Sequence, residues 1–435
     1  MEATRTATEE LAEGLGTARE LTLALVAPYS DDQVETAHNA IMSPLAWDLA
    51  HIAAYEDLWL AHRYAGEPLL HPELADTYDA FETPRAERGS MRLLNRAEAL
   101  EYLAEVRERA LAVLDRHGAR DGSVHEMVLR HEHQHTETML QAIALARLVP
   151  EGGLPVPERP APHGRDTGLE RVTVPGGACS LGAPADTFSY DNERPCHRAE
   201  VPAFSIGRTP ITNATFLHFV EGGGYERREW WTDEGWQWKE DYDITHPGGW
   251  SAGGTGWRCW RLDGWAPLHP DEPVVHLSWF EADAFARAHG ARLPTETEWE
   301  KAATWDQETG TARRYPWGSE APAGEAGDGA RRANLDQDAF GPVPAAALSD
   351  GASPCGALGM LGDTWEWTST TFHGYPGFVA HPYKEYSEVF FGPRYRVLRG
   401  GSWATRSRVA TPTFRNWDLP ERRQIFSGLR LAWDA

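Results

Sequence analysis

The sequence predicts an α+β protein of two domains, in which a four-helix bundle precedes an irregular, loop-rich domain. Residues 1–148 carry Leu, Ala, Glu and Arg at helical spacing, whereas the later part has short β-like runs between loops rich in Gly, Trp and Pro. Residues 149–168 are dominated by Pro and Gly, which is typical of an interdomain linker. The predicted boundaries are therefore 1–148 for the bundle, 149–168 for the linker and 169–435 for the second domain.

Four amphipathic segments form the predicted bundle. They cover residues 8–26, 44–64, 96–117 and 123–148. Ser43 followed by Pro44 predicts the start of the second helix, with Ser43 as the N-cap. Gly118 predicts the end of the third.

The second domain shows few regular elements. Strands are predicted at 171–175, 396–399 and 429–433, and a helix at 279–289 that Gly290 closes. Thr295 and Glu298 predict a capping box at the start of another helix. All tryptophans except Trp47 and Trp59 lie in this domain, which indicates a loop-rich fold held by aromatic packing.

The net charge, hydropathy and cysteine content of the chain exclude several classes of function. The 435-residue chain has a formal charge of −24 and no apolar stretch long enough to span a membrane, so we expect a soluble, monomeric protein. An acidic surface repels nucleic acid and anionic membranes, which leaves small molecules as the expected partners. The four cysteines are far apart and form no CxxC, which fits a reducing cytoplasm and disfavours cysteine-ligated zinc.

The segment 131–137 predicts a metal site. His131 and His135 are one helical turn apart, so their imidazoles can converge on one ion. The 4, 3, 4, 3 spacing places them on an apolar seam with Val124, Val128, Thr138, Ala142 and Leu145. His133 points elsewhere. Such a pair is also common as a structural or exposed feature, so spacing alone leaves that alternative open.

His51 is the candidate for a third ligand. It shares a helix face with Trp47, Tyr55 and Leu58, which marks that face as core. Three neutral imidazoles would leave open positions on a metal, which indicates catalysis. Ligand type alone allows Zn, Fe, Cu or Ni.

Six stretches of the second domain resemble the formylglycine-generating and sulfatase-modifying enzymes, whose fold is a variant of the C-type lectin fold. The stretches are 174–177, 191–195, 209–213, 292–300, 362–368 and 398–403. Together with a DinB-like bundle bearing HxxxHxE, the chain is similar over nearly its full length to the ergothioneine-biosynthesis sulfoxide synthases, the hercynine oxygenases. The formylglycine-generating enzymes work through cysteines in their final segment. Residues 411–435 of this chain contain no cysteine, so that activity is disfavoured.

The resemblance implies a non-haem Fe(II) held by His51, His131 and His135. A neutral ligand set leaves the full dipositive charge on iron, which suits an anionic thiolate followed by O2. Glu137 completes the family motif and would orient a ligand or a helix; the alternative is a solvated helix carboxylate.

The resemblance also implies the substrate residues. Arg85 and Arg88 match two family arginines, and guanidinium forks suit the carboxylates of γ-glutamylcysteine; without the family they would be surface residues. Asp418 would lie near the donor's amino group. Gln134 and Asn416 would contact the imidazole substrate, and Trp417 its trimethylammonium group.

A tyrosine is the implied catalytic acid. Tyr383 would supply the proton to oxygen, because a phenol stays protonated at neutral pH, and Tyr386 would line the site. Tyr375 is the alternative acid.

The implied activity is oxidative coupling of γ-glutamylcysteine to C2 of the hercynine imidazole, dependent on Fe(II) and O2, giving a sulfoxide. Three alternatives stay open at this stage. The same chemistry could use free cysteine or a selenium donor, or histidine as the acceptor, as in ovothiol synthesis. Three histidines also suit a zinc-dependent thiol transferase of the DinB type. A non-catalytic binding module would leave the ligands without a purpose.

Overall fold

The computed structural model describes residues 6–150, 152, 163–254, 256–322 and 331–435. The chain divides into two compact units: unit 1 is Met1–Pro155 with Leu262–Gly264, and unit 2 is Val156–Arg261 with Trp265–Ala435. Most of the predicted linker, 149–168, lies outside the described residues, so its bounds stay a prediction. Within the described ranges, no helix combines the length and the apolar character needed to cross a bilayer.

Unit 1 is the predicted helical bundle. Its helices are α1 (Ala7–Val26), α2 (Asp31–Glu35), α3 (Leu45–Glu56), α4 (Arg96–His117) and α5 (Ser123–Ala146). A π-helical segment, Asp57–Tyr64, continues α3. Gly118 ends α4 with a φ of 68°, as predicted. Helix α2 was not predicted, and the π-helical segment lies within the helix predicted at 44–64.

Ser43 does not cap α3, so that prediction was wrong. Pro44 occupies the N-cap position with an extended ψ of 143°, and helical backbone begins only at Leu45. Ser43 is therefore one residue too early to reach the N–H groups of the first turn. Its hydroxyl instead accepts a hydrogen bond of 2.7 Å from Nη1 of Arg88.

A buried network of four charges joins the four long helices. Arg19 of α1 and Arg107 of α4 both pair with Glu56 of α3 and Glu132 of α5, at N to O distances between 2.6 and 2.9 Å. The network is electrically neutral, and Thr22 donates a further hydrogen bond to Glu132. Because removing one partner would leave an uncompensated buried charge, this network fixes how the helices pack.

The described residues of unit 2 form small sheets and the helices α6 (Asn213–Glu221), α7 (Asp233–Asp241), α8 (Trp279–Ala288) and α9 (Glu296–Thr304). The strands are β1 (Arg171–Val174), β2 (Gly177–Leu181), β3 (His197–Val201), β4 (Phe204–Gly207), β5 (Trp250–Gly253), β6 (Gly256–Arg261), β7 (Gly264–Pro267), β8 (Trp305–Asp306), β9 (Thr311–Ala312), β10 (Trp365–Phe372), β11 (Gly392–Arg399), β12 (Asn416–Asp418), β13 (Ser427–Gly428) and β14 (Ala432–Asp434). The four-stranded sheet has the order β12-β11-β10-β13, and a three-stranded sheet has the order β1-β4-β14. The α+β class predicted for the chain is confirmed.

The local predictions in unit 2 had mixed outcomes. The Thr295 capping box is present at the start of α9, and α8 ends one residue before His289 with Gly290 at a φ of 59°. The strand predicted at 429–433 is wrong in its first half, since β14 begins at Ala432. Leu429 and Leu431 instead offer their carbonyl oxygens to Ile211 and Gly207 outside the ladder. Their alternating apolar side chains gave the same pattern as a strand.

Asp363 provides a pH-dependent prediction. It is buried, and its Oδ1 accepts hydrogen bonds from Asn334 Nδ2 at 2.8 Å and from the Val343 N–H at 2.9 Å. Burial raises its pKa to about 6. Asp363→Asn keeps Oδ1 as the acceptor and tolerates the φ of 60°. We expect the variant to be more stable at pH 7 by about 1 to 3 kcal/mol, as roughly two pKa units imply.

The pH dependence of the stability follows from the difference between the folded and the unfolded pKa of Asp363. Because the folded pKa lies above the unfolded one, this carboxyl group contributes stability that is fully present below about pH 4 and is lost as the pH rises through about 6. Urea unfolding at pH 7 and pH 5 measures the effect, with exposed Asp350→Asn as the matched control. An equal change in stability between the two pH values for wild type and Asp363→Asn would contradict the prediction.

Candidate metal centre

Three histidines of unit 1 converge on one point. His51 comes from α3, and His131 and His135 come from α5; one ring nitrogen of each lies within 4.8 Å of the others. The ring centroids are 5.0, 4.6 and 4.5 Å apart in the pairs 51–131, 51–135 and 131–135. Among the described residues, no other group of three His, Cys, Asp or Glu side chains comes as close. These are the three histidines that the sequence predicts as ligands, and their role as ligands stays a prediction.

Oxygen acceptors fix the orientation of two of the rings. Nδ1 of His51 lies 2.6 Å from the carbonyl oxygen of Tyr78, and Nδ1 of His135 lies 3.0 Å from Oδ1 of Asp48. A carbonyl or carboxylate oxygen only accepts, so each Nδ1 carries the proton in the neutral ring. Nε2 of both rings is then left with its lone pair, as a metal ligand requires.

Aromatic rings stack on two of the three histidines. Trp47 stacks on His51 with centroids 4.7 Å apart and an interplanar angle of 14°. Tyr55 stacks on His131 at 3.6 Å and 9°. Glu56 directly follows Tyr55, and Glu132 directly follows His131. Both glutamates belong to the four-charge network, so this network anchors each helix next to the stacked pair. The three rings are thus held in place before any ligand arrives.

The electrostatics favour neutral imidazoles. Burial lowers the pKa of His51 well below its usual range, and the neighbouring His135 lowers it further. The pKa of His131 is lowered in the same way, first by burial and then by His135 and His51. Neutral rings with converging lone pairs fit a divalent metal with open positions, and no carboxylate belongs to the cluster itself.

The predicted seam of α5 was wrong in detail. His131 and His135 are only partly buried, and Leu145 is exposed. The fully buried face instead includes His125, Glu132 and Thr136. Helix α5 packs against both α1 and α3, so it buries a wide face, and paired charges occupy part of that face. The histidines lie at its edge, on the side that contacts α3.

Asp48 is a functional candidate that the sequence reasoning missed. It is 1% exposed, and its second oxygen, Oδ2, has no hydrogen-bond partner among the described residues. The available sign was an acidic residue in the otherwise apolar run 45–54, three residues before His51. A buried carboxylate needs a compensating partner. Here that partner is a metal-ligand candidate, His135.

Asp48→Asn should weaken metal binding while the fold is kept. The amide oxygen can still accept from His135, but the carboxylate that would strengthen the imidazole as a metal ligand is lost. We expect the affinity for a divalent metal to fall about 10- to 100-fold, the range typical for loss of a carboxylate partner of a ligating histidine. Anaerobic competition with a chromophoric chelator measures it, and exposed Asp115→Asn is the control. Unchanged affinity in Asp48→Asn would show that the contact is only structural.

The two predicted arginines have different surroundings. Arg85 is exposed. Arg88 is buried; its Nε, Nη1 and Nη2 donate to Thr83 O, Ser43 Oγ and Ala80 O, and its guanidinium carbon lies 3.4 Å from the centre of the Trp47 ring. Arg88 therefore supports the Trp47 ring that stacks on His51. Its contact with a substrate stays a prediction.

Two further predicted residues of α5 lie near the ligands in sequence. Glu137 is 6% exposed, so the alternative of a solvated carboxylate is wrong, whereas its orienting role stays a prediction. Gln134 is partly buried. His133 is buried and does not belong to the cluster, as predicted.

Unit 2 brings three of its predicted residues together. Tyr386 contacts Tyr383 and Trp417, with centroids 6.2 and 6.0 Å apart. Trp417 stacks on Phe372 at 4.2 Å and 9°. Asn416 and Asp418 flank Trp417 on β12, which pairs with β11.

Tyr375, the alternative acid, lies among charged side chains. Its hydroxyl is 3.4 Å from Oε2 of Glu300, and the Arg415 guanidinium covers its ring at 4.2 Å. Burial and the nearby carboxylates raise its pKa, so its proton is held more tightly than that of a free phenol. These surroundings are typical of a structural group.

Family models and relatives agree with both units. Residues 14–139 match the DinB superfamily, and residues 156–435 match the sulfatase-modifying factor enzyme 1-like domain. A hercynine oxygenase of Mycolicibacterium thermoresistibile is 47% identical, over 98% of this chain and 95% of its own. A hercynine oxygenase of Mycobacterium tuberculosis is 46% identical, over 99% of this chain and 100% of its own. A formylglycine-generating enzyme of the same organism is 36% identical, over 47% of this chain and 75% of its own.

Proposed function

The chain belongs to the hercynine oxygenases and is thus an oxidoreductase of ergothioneine biosynthesis, and from that premise we propose that it couples γ-glutamylcysteine to C2 of the hercynine imidazole. The proposed reaction forms a C–S bond and leaves one oxygen on sulfur. It consumes the thiol, the C2–H of hercynine and O2, and yields the sulfoxide and one water. Four electrons leave the substrates and four reduce O2, so the reaction needs no further reductant.

The observation that carries the proposal is the cluster of His51, His131 and His135. We propose that it holds Fe(II), which would supply open coordination positions for a thiolate and O2. The chain's own contribution is to present three imidazoles whose orientation Tyr78, Asp48 and the stacked rings fix. A non-catalytic binding module gives no reason for such a convergent set.

Unit 2 is proposed to supply the proton and hold the acceptor. Tyr383 Oη would donate the proton to reduced oxygen, while Tyr386 supports its ring. Trp417 would face the trimethylammonium group, since an aromatic face attracts a cation by about 2 kcal/mol once both are desolvated. Asn416 would contact the imidazole. Holding two substrates in one geometry can itself lower the barrier by about 7 to 11 kcal/mol in favourable cases.

The carboxylates of the thiol donor would be held by Arg85 and Arg88, with Asp418 near its amino group. Arg85 is exposed, so its guanidinium can reach a ligand, and Arg85→Ala is expected to raise the Michaelis constant for γ-glutamylcysteine about tenfold, as losing one charge-assisted pair implies. The constant for hercynine and the metal affinity should stay unchanged. Exposed Arg92→Ala is the control. Equal effects on both substrates would contradict a carboxylate contact.

The choice of substrates is tested by competition. The iron-loaded enzyme would receive γ-glutamylcysteine and free cysteine together with hercynine, and in a second reaction histidine in place of hercynine, with products identified by mass spectrometry. The proposal predicts the dipeptide sulfoxide of hercynine as the main product. A cysteine product or a histidine product would reassign the donor or the acceptor. Thiol transfer that proceeds with zinc and without O2 would replace the proposal altogether.

A further inference from the structure

A buried polar turn at Asp191–Glu193 has no part in the proposed chemistry. The turn belongs to the stretch 191–195, one of those that resemble the sulfatase-modifying enzymes. Its three side chains, those of Asp191, Asn192 and Glu193, are only 4%, 1% and 1% exposed. Side chains of this kind are buried only when they are hydrogen-bonded, so the partners of the turn indicate what it does.

One set of partners lies on the tyrosine loop, residues 381–391. The Ser387 hydroxyl donates to Oδ1 of Asp191 and accepts from Nδ2 of Asn192 at 2.9 Å. The N–H of His381 donates to Oδ2 of Asp191 at 3.3 Å. Ser387 is fully buried. The turn therefore holds the loop at two points, one on each side of Tyr383.

An aromatic contact adds to these hydrogen bonds. Tyr190, the residue before the turn, stacks on Tyr386 with centroids 4.3 Å apart and an interplanar angle of 14°. The loop itself has only two single-turn 3-10 segments, Lys384–Tyr386 and Glu388–Phe390, and no strand or helix of its own fixes its path. Its conformation thus depends on contacts such as those with the turn.

The other set of partners leads into strand β12. Thr413 Oγ1 donates to Oε2 of Glu193 at 2.6 Å, and Nη1 of Arg415 donates to the carbonyl oxygen of Asn192 at 2.7 Å. Arg415 also pairs with Glu296 of α9 at 2.7 Å, and it directly precedes Asn416. One turn of three residues is therefore bonded both to the loop that carries Tyr383 and to the segment that leads into Asn416–Asp418.

We propose that the Asp191–Glu193 turn is a positioning element that holds the tyrosine loop and β12 at a fixed spacing. The turn touches neither substrate in this proposal; it acts through Ser387 on Tyr383 and through Thr413 and Arg415 on Asn416, Trp417 and Asp418. The inference rests on the proposed function only for the roles given to those residues. The anchoring itself is independent of any reaction.

Ser387→Ala tests the loop side of the turn. It removes one hydroxyl from a buried site and leaves the backbone unchanged. Hydrogen exchange of the amides in the tyrosine loop should become about tenfold faster, because local opening no longer breaks two hydrogen bonds. In the iron-loaded enzyme kcat should fall about tenfold and both Michaelis constants should stay within about twofold, since the reacting geometry is loosened while the binding contacts remain.

Ser427→Ala is the matched control. Ser427 is also a fully buried serine of unit 2, and its hydroxyl donates to the Leu277 carbonyl, far from the turn in the chain. It should change neither the exchange of the tyrosine loop nor kcat. If Ser387→Ala does not fold, Asp191→Asn replaces it: this variant keeps an acceptor for Ser387 but loses the one for the His381 N–H, and smaller effects in the same direction are expected.

Thr413→Val tests the strand side. The substitution keeps the shape of the side chain and removes the hydroxyl that donates to Glu193. We expect the Michaelis constant for hercynine to rise several-fold while kcat and the exchange of the tyrosine loop stay unchanged. A fall in kcat with unchanged Michaelis constants would contradict the assignment of the two sides.

The outcomes separate this inference from the proposed function. Unchanged loop exchange in Ser387→Ala would overturn the anchoring. Faster exchange with an unchanged kcat would overturn the positioning role and would also count against Tyr383 as the acid. If the wild-type enzyme forms no coupled product at all, the proposed function fails, whereas faster loop exchange in Ser387→Ala would still support the anchoring turn.

Discussion

His131→Ala and His135→Ala are each expected to abolish stoichiometric Fe(II) binding and to reduce turnover at least about a thousandfold, because each removes one of the three proposed ligands and leaves two histidines. Among the described residues, no other His, Cys, Asp or Glu side chain belongs to this cluster of unit 1. Metal analysis after anaerobic loading and desalting measures the first effect, and product formation measures the second.

His133→Ala is the control for this prediction. His133 lies on the same helix between His131 and His135, is buried, and does not belong to the cluster. It should lower thermal stability without removing the metal. Full metal occupancy and full activity in His131→Ala or His135→Ala would show that the cluster is not the site. Equal metal loss in all three variants would show a general collapse of α5.

Tyr383→Phe is expected to leave Fe(II) and substrate binding intact and to slow sulfoxide formation about 100- to 10,000-fold, the range typical for loss of a positioned acid. The substitution removes only the hydroxyl, so the ring contact with Tyr386 can be kept. Without the proton the thiol should be diverted to a sulfinic acid, a product that takes both oxygen atoms of O2. Mass spectrometry of the products and single-turnover kinetics measure both effects.

Two other tyrosines serve as comparisons. Tyr386→Phe should lower the rate only modestly, since its ring stays stacked on Tyr190. Tyr375→Phe should affect stability more than rate, because its hydroxyl lies beside Glu300 and Arg399 in a buried ionic group. Sulfoxide formation at the wild-type rate in Tyr383→Phe would exclude it as the acid, and a large loss in Tyr375→Phe alone would transfer the role.

Local patterns in the sequence predicted what depends on neighbours along the chain. The end of α4 at Gly118 and the capping box of Thr295 and Glu298 follow from residues at most a few positions apart. The three histidines were found because two share a helix face and the third lies in a second strongly apolar helix. The same rule failed for Ser43, where the proline that marks the helix start also moves it by one residue.

Contacts between distant residues could not be predicted in this way. Asp48 and His135 are 87 positions apart, and Asp191 and Ser387 are 196 apart. Arg88 looked like a surface residue because its partners are distant in the sequence: Ser43 is 45 positions earlier, and Trp47 lies in the same region as Ser43. The seam of α5 was placed on the wrong residues because period alone does not show that a helix packs on two neighbours and that Glu132 is neutralised there.

The proposed reaction requires that the three histidines hold an iron and that this chain uses O2 to couple a thiol to hercynine. The most direct test loads the metal-free protein with Fe(II) anaerobically, adds hercynine and γ-glutamylcysteine, and then admits ¹⁸O2, with products followed by mass spectrometry. We predict a coupled sulfoxide that carries one labelled oxygen and that forms only when both Fe(II) and O2 are present. Coupling without iron or without O2, or the absence of any coupled product from the fully loaded enzyme, would contradict the account.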